Sequence, residues 1–185
     1  ASISSPLTTQ IAETPDGTLW VGTWEGGLNK VIKSNDKRQI RFAHYTPSNL
    51  SHSLASVDAY KVISDQYGNL WIGNWNKGLS LLTPDEQKKP PLAARFVNYI
   101  SDLSNPYSLS GNNITALLVD KSGMLWVGSS KIDRAYVLST GLDRNITQKP
   151  ISNIYDASVV RALGGDGKSR LWVGTTDMLK LFEKR

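Results

Sequence analysis

"GNLWIGNWNKGL", residues 68–79, places Trp71 and Trp75 four positions apart between glycines. Nearly the same run stands at 17–28, "GTLWVGTWEGGL", with Trp20 and Trp24. Outward from these two, the Leu-Trp pair occurs four times: "PDGTLWVGT" (15–23), "DQYGNLWIGN" (65–74), "DKSGMLWVGS" (120–129) and "DGKSRLWVGT" (166–175). Trp20, Trp71, Trp126 and Trp172 recur at intervals of roughly fifty residues, a blade-length period. Asp65, Asp120 and Asp166 stand six positions before their tryptophans. Gly17, Gly68 and Gly123 stand three before theirs, and Ser169 takes that place in the fourth copy.

Each unit reads as strands. A β-rich segment comes first ("TTQIAET", "VDAYKVIS", "NITALLVD", "SVVRALGG"), and the Asp/Gly group then makes a tight turn. The Leu-Trp-Val/Ile-Gly run is a short strand, with Leu and Val/Ile on one face and Trp and Gly on the other. After a polar loop comes a third strand: "GLNKVI", "GLSLLT", "AYVLS" and "LKLFE". A fourth is visible in two units, "IRFAHYT" (40–46) and "ARFVNYI" (94–100). No stretch holds a helical period. The reading is an all-β chain, a β-propeller of about four four-stranded blades occupying 1–185 as a single domain. The blades fall at 7–50, 54–103, 111–150 and 157–185, the last one incomplete. Trp20, Trp71, Trp126 and Trp172 fill the gaps between blades. Gly22, Gly73, Gly128 and Gly174, two residues on, keep the inner part of each blade slim.

Composition narrows the chemistry. The 185 residues hold no cysteine, which removes disulfides, thiolate catalysis and cysteine-ligated metals. The net charge is +5, yet the basic residues are scattered. Lys33, Lys37, Arg38 and Arg41, and then Lys88 and Lys89, form the densest groups. They lack interleaved aromatics and read as solvated loops, not a nucleic-acid track. No apolar run is long enough to span a bilayer, and "ASISSPLTTQ" has neither the basic start nor the apolar core of a signal peptide. "ALGGDGKS" (162–169) approaches a phosphate-binding loop, but Ala162 stands where the first glycine belongs and a strand follows where a helix is required. His44 and His52 lie in linking segments without metal-ligand spacing, so neither a metal nor a cofactor is expected. The recurring aspartates are turn residues that bond nearby backbone amides. Glu25 and Asp133 are the one carboxylate pair worth weighing as a glycosidase couple.

The composite D-x-x-G-x-L-W-[VI]-G-T-x-x-G-L, with "FAHYTPSNLSHSL" and "FVNYISDLSNPYSLSGNNI" as links, resembles the two-component regulator propeller repeat. Residues 65–79 match it almost fully. The resemblance implies the periplasmic sensor region of a hybrid two-component system of Bacteroidetes. There, tandem propellers sense oligosaccharides and signal through a membrane helix to a histidine kinase. Membrane association would then belong to the parent protein alone. Such propellers have more than four blades. The last unit here stops at "LKLFEKR" without a fourth strand, and the third replaces "GL" with "KIDRAYVL". The chain therefore reads as part of a larger propeller, completed by further blades or by a homo-oligomer partner.

Trp24 and Trp75 fall in loops between second and third strands, where the other units have "SSKIDR" and "TTDM". In a propeller these loops share a face with the links between blades, the usual ligand surface. Aromatic rings beside polar groups suit a sugar, whose C–H face stacks while its hydroxyls are bonded. Trp24, Glu25, Trp75, Asn76 and Lys77 are the candidate ligand-binding residues, with Lys131 and Arg134 as cations for an acidic oligosaccharide. The competing reading is that Trp24 and Trp75 pack adjacent blades together, in a structural propeller that mediates dimerisation.

Overall fold

The computed structural model describes residues 2–32, 39–105, 107–129, 131–138, 141–142, 147–148, 159–167 and 170–183. Of the residues singled out above, Lys33, Lys37, Arg38, Lys168 and Ser169 lie outside that set. The first Leu-Trp unit forms β1 (Thr8–Glu13), β2 (Leu19–Thr23), β3 (Gly27–Ile32) and β4 (Arg41–Tyr45). The second forms β5 (Ala59–Ser64), β6 (Leu70–Asn74), β7 (Leu79–Leu82) and β8 (Val97–Tyr99), with a helical turn α1 (Pro84–Gln87) before β8. The third forms β9 (Ala116–Val119), β10 (Met124–Gly128) and β11 (Ile132–Leu138), with two short partners, β12 (Gly141–Leu142) and β13 (Thr147–Gln148), both paired to β11. The fourth forms β14 (Val160–Gly165), β15 (Arg170–Thr175) and β16 (Leu179–Glu183). Every sheet is antiparallel and ordered as the chain runs, and consecutive sheets are neighbours through β1, β5, β9 and β14. These are propeller blades.

The alternation in Leu-Trp-Val/Ile-Gly decides how the blades stack. Trp20 lies in one core with Val62, Leu70 and Ile72 of the next blade. Trp71 does the same with Ile114, Leu125 and Val127, and Trp126 with Val160, Leu171 and Val173. Each tryptophan therefore reaches forward, and the residues flanking the next tryptophan reach back. The glycines follow from this contact. A Cβ on Gly22 would come within 2.5 Å of the Ala59 carbonyl, on Gly73 within 2.7 Å of Ile114, and on Gly128 within 2.6 Å of Val160. The crowding that requires glycine is the inner strand of the following blade.

The aspartates do more than close a turn. Asp65 Oδ1 accepts the amides of Tyr67 (2.9 Å) and Asn69 (3.0 Å), as a turn residue should. Its Oδ2 accepts the Trp71 indole N–H at 2.8 Å. Asp120 repeats this: its Oδ1 accepts from the Ser122 amide at 2.8 Å and its Oδ2 from Trp126 at 2.8 Å. The carboxylate thus fixes the turn and the forward-reaching ring together. In the first blade Thr14 holds the place, its hydroxyl donates to Asp16, and the buried Trp20 Nε1 has no partner among the described residues.

His44 has the structural role its place in the repeat suggests. Its ring bonds the Ser2 carbonyl at 2.7 Å, and Asn98, the matching residue one blade on, donates to the Ser53 carbonyl at 2.9 Å. The helical turn was not signalled by periodicity because it is only four residues long. It clasps the first two blades: Lys30 Nζ donates to the Gln87 carbonyl at 2.7 Å, and Gln87 Nε2 donates to the Gly68 carbonyl at 2.8 Å. The near-phosphate-loop is a hairpin, since β14 and β15 pair antiparallel on either side of it. That context lacks the helix N-terminus the chemistry needs.

Candidate functional site

The loops after β2 and β6 are each tied down on two sides. The Trp24 amide donates to the Leu7 carbonyl (2.8 Å), and the Trp75 amide to the Asp58 carbonyl (3.1 Å). Gly27 donates to the Val57 carbonyl and Gly78 to the Asn112 carbonyl, each across to the link of the next blade. Loops and links therefore share one face. Within each loop the residue after the tryptophan is left-handed, Glu25 at φ 63° and Asn76 at φ 60°. Asn tolerates this region; Glu does so at a cost. The Glu25 amide is held by Asp58 Oδ1 at 2.9 Å, so Asp58 anchors both tryptophan loops.

These constraints bring Trp24 and Trp75 together, centroids 5.4 Å apart at 65°. A third ring completes the corner. Tyr60 lies 5.4 Å from Trp75 and 6.1 Å from Trp24, both edge to face. All three contacts fall in the favourable range for aromatic pairs. Tyr60 occupies the point where the pairing of β5 with β6 slips by one residue. Such a bulge re-aims its side chain. The same slip occurs at Thr9 and Arg161, and the hydroxyl of Thr9 there bonds the Ala59 carbonyl of the next blade at 2.6 Å. Tyr60 was not among the sequence candidates. The available signal was a large ring where the first and third units have Thr9 and Thr115.

All three rings are half-buried, while Glu25, Asn76 and Lys77 are exposed beside them. The Lys61 ammonium sits 5.0 Å over the Tyr60 ring. The corner thus offers apolar ring surface within reach of both charge signs and an amide. Lys131 is exposed at the corresponding turn of the third blade, where Ser129 donates to the Lys131 carbonyl. Arg134 requires a correction. It lies within β11 opposite Trp126, its guanidinium 5.8 Å from that ring, as Lys30 lies 5.4 Å from Trp20. It packs on the blade scaffold and does not belong to the turn.

Asp133 is 1% exposed, and its Oδ2 accepts the Ser110 amide and hydroxyl, both at 2.9 Å. Burial pushes its carboxyl above the usual range, against the opposing pull of the Ser110 bonds. So enclosed, it does not present a carboxylate to a polysaccharide alongside the exposed Glu25. Among the described residues no group of three or more His, Asp or Glu is placed to hold a metal ion. No helix among them is long and apolar enough to cross a membrane.

Blade stacking and a loop-face corner define a β-propeller with a candidate binding face. Residues 2–25 and 108–131 match the family model described as two component regulator propeller. Each matched stretch runs from the serine of a link, through the Leu-Trp strand, into the following loop. The extracellular domain of a protein assigned to the hybrid two-component systems of B. thetaiotaomicron superposes with TM-score 0.73 at 20% identity, covering 98% of this chain and 24% of that one. A second such domain from B. thetaiotaomicron gives 0.68 at 20% identity, covering 96% and 21%. A gluconolactonase of Xanthomonas campestris gives 0.61 at 12% identity, covering 96% and 59%. At these identities the likeness is one of fold. The chain spans about a quarter of the length of the two sensor domains. No curated protein matches it in sequence.

Proposed function

We propose that the chain is the ligand-receiving propeller portion of a periplasmic sensor region in a hybrid two-component signalling protein. It binds an oligosaccharide at the corner formed by Trp24, Tyr60 and Trp75, and catalyses nothing itself. The observation that carries this is the corner: three half-buried rings from adjacent blades, converging on the loop face beside exposed Glu25, Asn76 and Lys77. Ring surface of this kind stacks on the C–H face of a sugar, while the flanking groups take its hydroxyls. Lys61, Lys77 and Lys131 favour an acidic sugar. The propeller repeats and the extracellular sensor domains that share the fold support the setting. Output through a membrane helix to a kinase belongs to the parent protein.

The test is thermal unfolding and calorimetry of the chain against neutral and acidic oligosaccharides, with Trp75→Ala beside it. Ligand at a hundred times its dissociation constant adds about 2.7 kcal/mol. At ~2–4 °C per kcal/mol, the melting temperature rises by roughly 5–11 °C. Trp75→Ala is expected to remain folded and lose the shift. A folded chain that answers to no glycan overturns the reading.

A further inference from the structure

The turns that join first to second strands stand at the end of each blade away from the tryptophan loops, since the strands run antiparallel. There, the residue after Asp65 and the residue after Asp120 each reach the turn glycine of the next blade. A Cβ on Gly123 would come within 2.7 Å of Gln66 Nε2, and one on Gly167 within 2.9 Å of Lys121 Nζ. Gln66 and Lys121 thus close the second and third junctions. At the first junction the corresponding residue is Pro15, whose Cδ stops 3.7 Å from a Cβ on Gly68. A ring that cannot extend leaves a cleft of about 270 Å³ between the first two blades, close to the ~300 Å³ at which small-molecule sites begin. The helical turn α1 supplies Pro84 and Gln87 to its lining.

The lining has the chemistry of a site. Gln87 is only 6% exposed, and its Nε2 donates to the carbonyls of Gly68 (2.8 Å) and Leu82 (3.0 Å). Two carbonyls on one side fix which amide atom is the nitrogen. Oε1 therefore faces away from them, an acceptor without a partner among the described residues. Asp16 offers a second acceptor. Its Oδ1 takes the Thr14 hydroxyl at 2.7 Å and the Thr18 amide at 3.0 Å, which hold the carboxyl below the usual range. Its Oδ2 carries no bond among the described residues. Lys30 spends one ammonium hydrogen on the Gln87 carbonyl at 2.7 Å and keeps two to donate. The Tyr67 ring, 47% exposed, and the pyrrolidines of Pro15 and Pro84 supply apolar walls. The charges offset, Asp16 against Lys30, while Lys88 is paired with Asp85 at 2.9 Å. Hydroxyls donate and accept at once, and a sugar ring adds a C–H face for the tyrosine. We propose that this cleft binds a neutral pyranose sugar, at a site separate from the ring corner of the loop face.

Amide NMR spectra of the chain, titrated with glucose, galactose, mannose and xylose, test this. Saturable shifts are expected at Asp16, Gly68 and Lys88 with at least one of these sugars. None is expected there with the charged counterparts glucuronate and glucosamine. Tyr67→Ala removes the ring, and Pro15→Gln places at the first junction the side chain that closes the second. Both positions are exposed, so both variants are expected to fold and to lose the shifts. Either suffices should the other unfold. A folded chain whose cleft amides answer to none of the neutral sugars overturns the proposal. So do shifts that survive in either folded variant, or a cleft that takes a charged counterpart instead. Shifts confined to the tryptophan loops overturn it too, and leave the corner reading standing.

Discussion

At the residue scale, one atom of Asp65 and one of Asp120 decide how well a tryptophan is held. Asp65→Asn keeps an oxygen for the turn amides but sets an amide nitrogen, itself a donor, where Oδ2 now accepts from both the Trp71 indole and the Asn69 side-chain amide. A buried donor deprived of its partner costs about 1–3 kcal/mol. The melting temperature should therefore fall by roughly 2–12 °C at ~2–4 °C per kcal/mol, read by circular dichroism. Asp133 makes the opposite case. Its position is Asn29 in the first blade, where the amide oxygen accepts from Ser4 at 3.1 Å and the amide nitrogen donates to the Val21 carbonyl at 3.4 Å. The folded state holds a proton on Asp133 more tightly than the unfolded chain does. Its contribution is therefore greatest at acid pH, and is lost as pH rises from the ordinary aspartate range through the raised folded value. Asp133→Asn should stabilise the protein at pH 7, because the uncharged amide carries no buried charge while its oxygen still accepts from Ser110. The advantage should vanish below about pH 4. Urea unfolding at pH 7 and at acid pH checks both the sign and its disappearance.

At the scale of elements, the loop carrying Trp24 holds strain that its twin avoids. Glu25 takes the left-handed backbone that Asn76 takes in the second blade, and an ordinary residue there costs about 1 kcal/mol or more. Glu25→Gly removes that penalty and should raise stability by roughly 0.5–1 kcal/mol. If the corner binds glycan, the same variant should bind it more weakly, and calorimetry beside thermal unfolding separates the two effects. How far these elements can be read from sequence varies with their physics. The Leu-Trp strands are plain because two faces of different chemistry alternate along them, and the loop rings because they break that alternation beside glycines. The two-residue strands β12 and β13 carry no period at all. Tyr60 was hidden for another reason: a bulge turns its ring from the inner strand to the loop face, and pairing slips leave no mark in composition. Arg134 misled because a cation near a loop reads as available, whereas the register sets it opposite Trp126.

At the scale of the whole molecule, the blades form a one-dimensional stack in which each contact repeats the last, so the stability of any face depends on whether a neighbour lies against it. The glycine two residues after each repeat tryptophan can report this. Gly73→Ala would place a methyl 2.7 Å from Ile114 and 3.2 Å from Lys61, inside van der Waals contact on two sides. Overpacking of that kind costs about 1–3 kcal/mol, because one blade must shift against the next. Among the described residues, Gly174→Ala meets nothing nearer than 3.5 Å. In a strand, alanine is the better residue by roughly 0.5–1 kcal/mol where space allows. The two substitutions should therefore have opposite signs, Gly73→Ala lowering the melting temperature and Gly174→Ala leaving it level or raising it. Circular dichroism melts of the two variants beside the parent chain check the signs. A Gly174→Ala chain destabilised as much as Gly73→Ala would show that the strand itself, and not the inner edge of a following blade, requires the glycine.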